Sequence, residues 1–123
     1  MLHPLPPAEA YRRVQLDAWI AGGDARQLTR ICLAEAVGAL GRALLWHDRG
    51  DGARRSGALG KALSCAQALR LGVDGTQPLG GALLVVYGDT AARLARSLGR
   101  FDREGVQAVR DDLLELEQAF NTA

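Results

Sequence analysis

The chain has 123 residues, enough for one domain with one modest core. Its formal net charge is +1 with both histidines neutral, so the charge balance points neither to nucleic acid nor to an anionic membrane. The longest apolar run, Ala82 to Tyr87, is far too short to span a bilayer. The opening MLHPLPPAEA has no basic region followed by a long apolar run, so no secretory leader is expected. Cys32 and Cys65, the two cysteines, fall on apolar helix faces and read as reduced core thiols. A soluble, cytoplasmic protein is expected.

Residues 1–7 hold three of the four prolines and read as an irregular lead-in. A first, short helix is predicted from about Ala8 to Ala21, ended by Gly22-Gly23. Its apolar stripe is thin: Tyr11, Val14, Ala18 and Trp19. Asp24 is suited to cap a second helix, with Gln27 three residues on as its capping-box partner. The series Leu28, Ile31, Leu33, Val37, Leu40, Leu44 carries that helix to about His47, and Asp48 to Gly52 reads as a turn.

The third helix is predicted from about Ala53 to Leu71. Leu59, Ala62, Cys65, Ala66 and Leu69 give it a small-residue apolar face, with Lys61 set among them. A connection at Gly72 to Thr76 follows, and Pro78 suits the first turn of a fourth helix, where its missing N–H does no harm. That helix carries Leu79, Leu83, Val86, Tyr87, Thr90, Leu94 and Leu98 and ends near Gly99. Asp102 is placed to cap the fifth, in which Val106, Val109, Leu113, Leu116 and Phe120 keep a three-four alternation with acidic residues outside. The pattern predicts an all-α fold: an antiparallel up-down four-helix bundle with a short additional N-terminal helix, one domain over residues 1–123. Glycines inside the helical patterns, Gly57, Gly60 and Gly88 among them, allow two readings: simple tolerance, or a soft bundle whose grooves adapt to a ligand.

No arrangement of residues suggests catalysis, so no enzyme activity, cofactor or metal is expected. His3 and His47 lie at no metal-ligand spacing with Cys32 or Cys65, and there is no nucleophile elbow or phosphate-cradling loop. His47-Asp48 and Arg54-Arg55 read as solvated surface beside a turn. Lys61 has two readings, a snorkelling surface lysine or a group that meets a partner's carbonyl or carboxylate. Tyr87 is either a core aromatic with its hydroxyl at the rim or a ligand contact.

The order of these features resembles the flagellar export chaperone family FliS over nearly everything from Tyr11 to Phe120. The resemblance is carried by Tyr11 and Val14 at the start, Gln27-Leu28 continued by Ala36, Val37, Leu40 and Ala43, and Lys61-Ala62 with Leu69. It continues through Val73-Asp74, Val86-Tyr87, Arg93-Leu94, Asp102, and the closing Val109, Leu113 and Leu116. The family's Tyr-Asp-Gly is Leu33-Ala34-Glu35 here, an early asparagine of the fourth helix is Ala82, the Tyr-Asp-Tyr there is Tyr87-Gly88-Asp89, and the final tryptophan is Phe120.

The resemblance implies a cytoplasmic chaperone that binds the disordered C-terminal segment of flagellin in helix-lined apolar grooves, prevents premature polymerisation and supports secretion. It implies Tyr11, Val14, Lys61, Cys65 and Tyr87 as partner-binding residues. The partners it implies are flagellin and the flagellar export apparatus, with no nucleic acid and no membrane insertion, and both monomer and homodimer stay open. The alternative weighed against it is a small helical histidine phosphotransfer domain. That would need an exposed mid-helix histidine with a following lysine and glycine, whereas His47 stands near a helix end before Asp48 and Arg49. A nucleic-acid-binding bundle would need a basic recognition face, which the interspersed charges do not suggest.

Overall fold

The computed structural model describes residues 25–76 and 79–122. The lead-in, the first predicted helix with Tyr11 and Val14, the Asp24 cap and Pro78 lie outside them. Four helices follow one another: α1 (Ala25–Asp48), α2 (Gly52–Leu71), α3 (Gly80–Gly99) and α4 (Arg103–Thr122), with no strand among the described residues. The all-α bundle expected from the apolar periodicity is therefore the fold, and the helix bounds lie close to those read from the sequence. Closely packed neighbours are α1 with α2, α2 with α3, and α1 with α4. Contact between α3 and α4 is much thinner, and the diagonal pairs do not approach at the backbone. The bundle is closed on three sides and loosely joined on the fourth.

Local chemistry explains the helix ends. Gly50 takes φ +73°, a left-handed conformation open to glycine at little cost. Its N–H donates to the His47 carbonyl at 3.0 Å, and the Asp51 N–H donates to the Trp46 carbonyl at 2.9 Å. This paired arrangement satisfies the last carbonyls of α1. Asp51 at once opens α2, its carboxylate accepting the Arg54 N–H at 3.0 Å. Asp102 opens α4 as expected, accepting the Gly105 N–H at 3.1 Å. The turns at 49–51 and 100–102 are so short that the helices they join must run antiparallel.

The core is built on α1, which buries two adjoining stripes. Leu33, Val37, Leu40 and Leu44 follow the expected series, and Cys32, Ala36, Ala39 and Ala43 form a second, small-residue stripe beside them. Leu33, Leu40, Leu59, Leu94 and Leu113 are fully sealed. In α2 the expected face is buried throughout: Leu59, Ala62, Cys65, Ala66 and Leu69. In α4, Val106, Val109 and Leu113 are buried, while Leu116 and Phe120 are half-buried.

Helix α3 departs from its expected stripe. Tyr87, Thr90 and Leu94 point into the core, but Leu79 is 72% exposed and Val86 37% exposed. The physical reason is the thin α3–α4 seam: an apolar period marks a face, and here part of that face has no covering helix among the described residues.

Candidate functional site

At one end of the bundle the C-terminus of α2, the start of α3 and the end of α4 enclose a cleft of about 190 Å³. Leu69, Leu79, Leu83, Tyr87 and Phe120 supply its apolar lining. Its shape follows from the connector between α2 and α3. The Asp74 carboxylate accepts the Thr76 N–H at 2.9 Å and the Thr76 hydroxyl at 2.6 Å, which folds the connector into a tight turn. That turn lies against the first residue of α3. A Cβ on Gly80 would collide with the Asp74 carbonyl oxygen and stand 2.9 Å from the Gly75 Cα, so only glycine permits this approach. Leu79, at the rim of this cleft, is exposed, and so is Val86 on the adjoining face of α3.

Tyr87 lines this cleft while only 2% exposed, and burial pushes its phenol above its usual range, so it stays neutral. Lys61 lies elsewhere. It is exposed, and its Nζ is 2.9 Å from Glu35 Oε2 across the α1–α2 seam. The structure therefore does not bring Lys61 and Tyr87 to one cleft. Because both members of the Lys61–Glu35 pair are about half exposed, Lys61→Glu is expected to lower the unfolding free energy by no more than about 1 kcal/mol. A thermal melt checks this; a drop of several kcal/mol would show the lysine stem to be packed more tightly than its exposure indicates.

Cys65 is 5% exposed and Cys32 1% exposed, both as free thiols. Burial, with a smaller contribution from Cys65, pushes the Cys32 thiol up to about 12. Burial, helped by Glu35, pushes Cys65 up to about 11. Both side chains are thus protonated and sealed at neutral pH. An acid whose folded pKa is raised stabilises the fold fully below its unfolded value of 9.0 and loses that contribution as pH climbs toward the folded value. Stability is expected to decline from about pH 9 upward, and Cys65→Ala should flatten that decline in pH-dependent urea titrations. A variant that declines as steeply as the parent would contradict the assignment.

The opposite end carries the polar residues singled out in the sequence. His47 stacks on Phe101 with ring centroids 4.3 Å apart. Arg55 Nη1 lies 3.1 Å from His47 Nδ1 and its guanidinium also covers the Phe101 ring at 4.9 Å. His47 is therefore more engaged than the solvated surface residue expected from sequence. It is half-buried at a helix end, with a ring nitrogen already contacted, unlike the exposed mid-helix histidine that phosphotransfer needs. Asp48 takes two 2.8 Å hydrogen bonds from Arg103, which hold its carboxyl below the usual range and fasten α1 to α4. Arg54 lies 4.7 Å over the Trp46 ring and pairs with Asp51. The Arg54-Arg55 start of α2 is thus engaged with aromatic neighbours.

A second concavity, absent from the sequence reading, lies in the α3–α4 seam. It encloses about 350 Å³ between Arg93, Arg96, Ser97 and Arg100 on α3 and Asp102, Gly105, Val106 and Val109 on α4. The signal that could have shown it is the helical spacing of the three arginines on α3, one stripe of like charge.

Among the described residues no group of three His, Cys, Asp or Glu side chains is placed to hold a metal ion, and no helix is long and apolar enough to cross a membrane. Compared with known proteins, the chain matches no family model and no curated sequence.

Proposed function

We propose that this chain is an export chaperone of the FliS type, which binds the disordered C-terminal segment of flagellin in the cytoplasm and keeps it from polymerising before secretion. The observation that carries the reading is the uncovered apolar surface at one end of the bundle. There Leu79 and, on the adjoining face of α3, Val86 stand exposed among the described residues beside a cleft lined by Leu69, Leu83, Tyr87 and Phe120. A monomer that leaves such a surface open invites an amphipathic segment that lays its apolar face into the cleft.

The client's tail would otherwise expose that face to other flagellin subunits. Binding orders a floppy segment, so part of the contact energy offsets lost chain entropy, and affinity depends on a broad wrapped surface more than on one deep pocket. A shallow cleft with exposed aliphatic side chains beside it suits that mode. The work is done by burial alone, with no bond made or broken. Mixing the chain with a flagellin C-terminal peptide tests this. The far-ultraviolet circular dichroism of the mixture should show more helix than the sum of the two separate spectra, and equality with the sum would sink the reading.

In this proposal the N-terminal segment competes with the client. Tyr11 and Val14 take part of the apolar cleft until flagellin displaces them. Thr29, one turn after Ala25 at the start of α1, lines that cleft. Deleting residues 1–15 should then tighten binding of the same peptide, by about fivefold for a competitor worth about 1 kcal/mol. Unchanged affinity would remove the competitor from the scheme and leave the cleft itself in place.

A further inference from the structure

Along the thin α3–α4 seam, α3 presents Leu79, Val86, Thr90, Arg93, Ser97 and Arg100, spaced by seven, four, three, four and three. That spacing belongs to a helix face built for a neighbour, yet α4 covers it only in part. The half nearer the start of α3 is apolar and the other half is basic. In the basic half Leu94, Val106 and Val109 give the 350 Å³ groove an apolar floor.

The charges in this groove are not balanced from within. Arg93 shares Asp89 at 3.2 Å, but Arg96 and Arg100 have no ion pair among the described residues. Like charges three and four apart on a helix repel one another, so the stripe weakens α3 rather than supporting it. Asp102 is the groove's acidic lining residue, and its carboxylate is turned to cap α4 through the Gly105 N–H. Ser97 lines the groove while only 7% exposed. Two guanidiniums without a counter-charge of their own beside an apolar floor suit an anionic partner from outside.

We infer that this groove binds an acidic peptide segment of a protein partner, with carboxylates on Arg96 and Arg100 and an apolar side chain on the Leu94–Val106–Val109 floor. The spacing fits. Arg96 and Arg100 are one turn apart, about 6 Å along the helix axis. An extended chain sets alternate side chains on one face about 6.6 Å apart, so two acidic residues separated by one other meet both forks. Charge complementarity selects the acidic partner. The apolar floor favours a peptide over a bare anion, and a basic stripe of two turns is too short to track a nucleic-acid backbone. The groove lies at the end of α3 opposite the apolar cleft, so the inference is independent of the flagellin reading.

Fluorescence anisotropy on the full chain tests it, with a labelled peptide of alternating Glu and Leu, a matched peptide of alternating Lys and Leu, and labelled oligothymidylate. The Glu-Leu peptide should bind, and its affinity should fall as salt rises from about 50 to about 300 mM. Arg96→Ala with Arg100→Ala should weaken it by about tenfold or more with the thermal midpoint unchanged, since both arginines are exposed. Failure of the Glu-Leu peptide to bind, equal binding by the double arginine variant, equal binding of the Lys-Leu peptide, or tighter binding of oligothymidylate would each overturn the inference.

Discussion

Leu40→Ala should lower the unfolding free energy by about 3 kcal/mol and the thermal midpoint by about 15 °C. Leu40 is fully sealed on α1, the helix that packs against both α2 and α4. Truncation there removes buried methyl groups and leaves a void that the surrounding alanines are too short to fill. Ala36, Ala39 and Ala43 are already flush with their neighbours, so the site relaxes little. A domain of this size has a total stability of about 5–15 kcal/mol, so a single truncation consumes a large share of it. Leu45→Ala is the internal comparison. Leu45 is 43% exposed on the same helix, and its loss should cost less than about 1 kcal/mol. Equal losses at the two positions in urea denaturation would mean that α1 is not the centre of the core.

The second large effect falls on binding and leaves folding alone. Leu79→Glu combined with Val86→Glu should weaken binding of the flagellin C-terminal segment by about a hundredfold, equivalent to about 2.7 kcal/mol. Leu79 and Val86 are 72% and 37% exposed, so the folded chain tolerates the change. A bound apolar helix would have to bury two carboxylates without partners, and that penalty adds to the lost contact. Titration of a labelled flagellin tail measures the affinity, and a melt of the free chain confirms an unaltered midpoint. An affinity within twofold of the parent would move the client contact away from α3.

Legibility of the sequence differed from helix to helix for physical reasons. Helix α4 was read most fully because it has one buried face: Val106, Val109 and Leu113 carry the whole signal. Helix α1 was placed correctly and Cys32 was read as core, but the small-residue stripe to which Cys32 belongs was not seen as a second buried face. A six-residue aliphatic series describes one stripe, whereas α1 lies between two neighbours and fills the second contact with Cys32, Ala36, Ala39 and Ala43. In α3, periodicity identified a face but could not say whether another helix covers it. Leu79 and Val86 were therefore read as core and stand outside. That misplacement is informative, because those side chains form part of the candidate client surface.

The candidate sites were less legible than the fold. Tyr87 and Cys65 were rightly placed on inward faces, but the long-range partners of His47 and Asp48 were not seen. Phe101 and Arg103 reach them from the other side of the bundle, and no local pattern encodes that meeting. The arginine groove was missed for a similar reason. Exposed charges on a helix read as solvated surface until the thinness of the adjoining seam is known. The connection at Gly72 to Thr76 was read as a plain loop, while the close approach of Asp74 and Gly75 to Gly80 shapes the apolar cleft.

The most direct measurement is size-exclusion chromatography with light scattering on the chain mixed with its cognate flagellin, run beside the same flagellin shortened by its C-terminal segment. Full-length flagellin should co-elute with the chain as a one-to-one complex, and the shortened form should elute apart from it. Separate elution with the full-length protein, or a complex that survives removal of the tail, would contradict the proposal that an open apolar surface on this bundle shelters that segment.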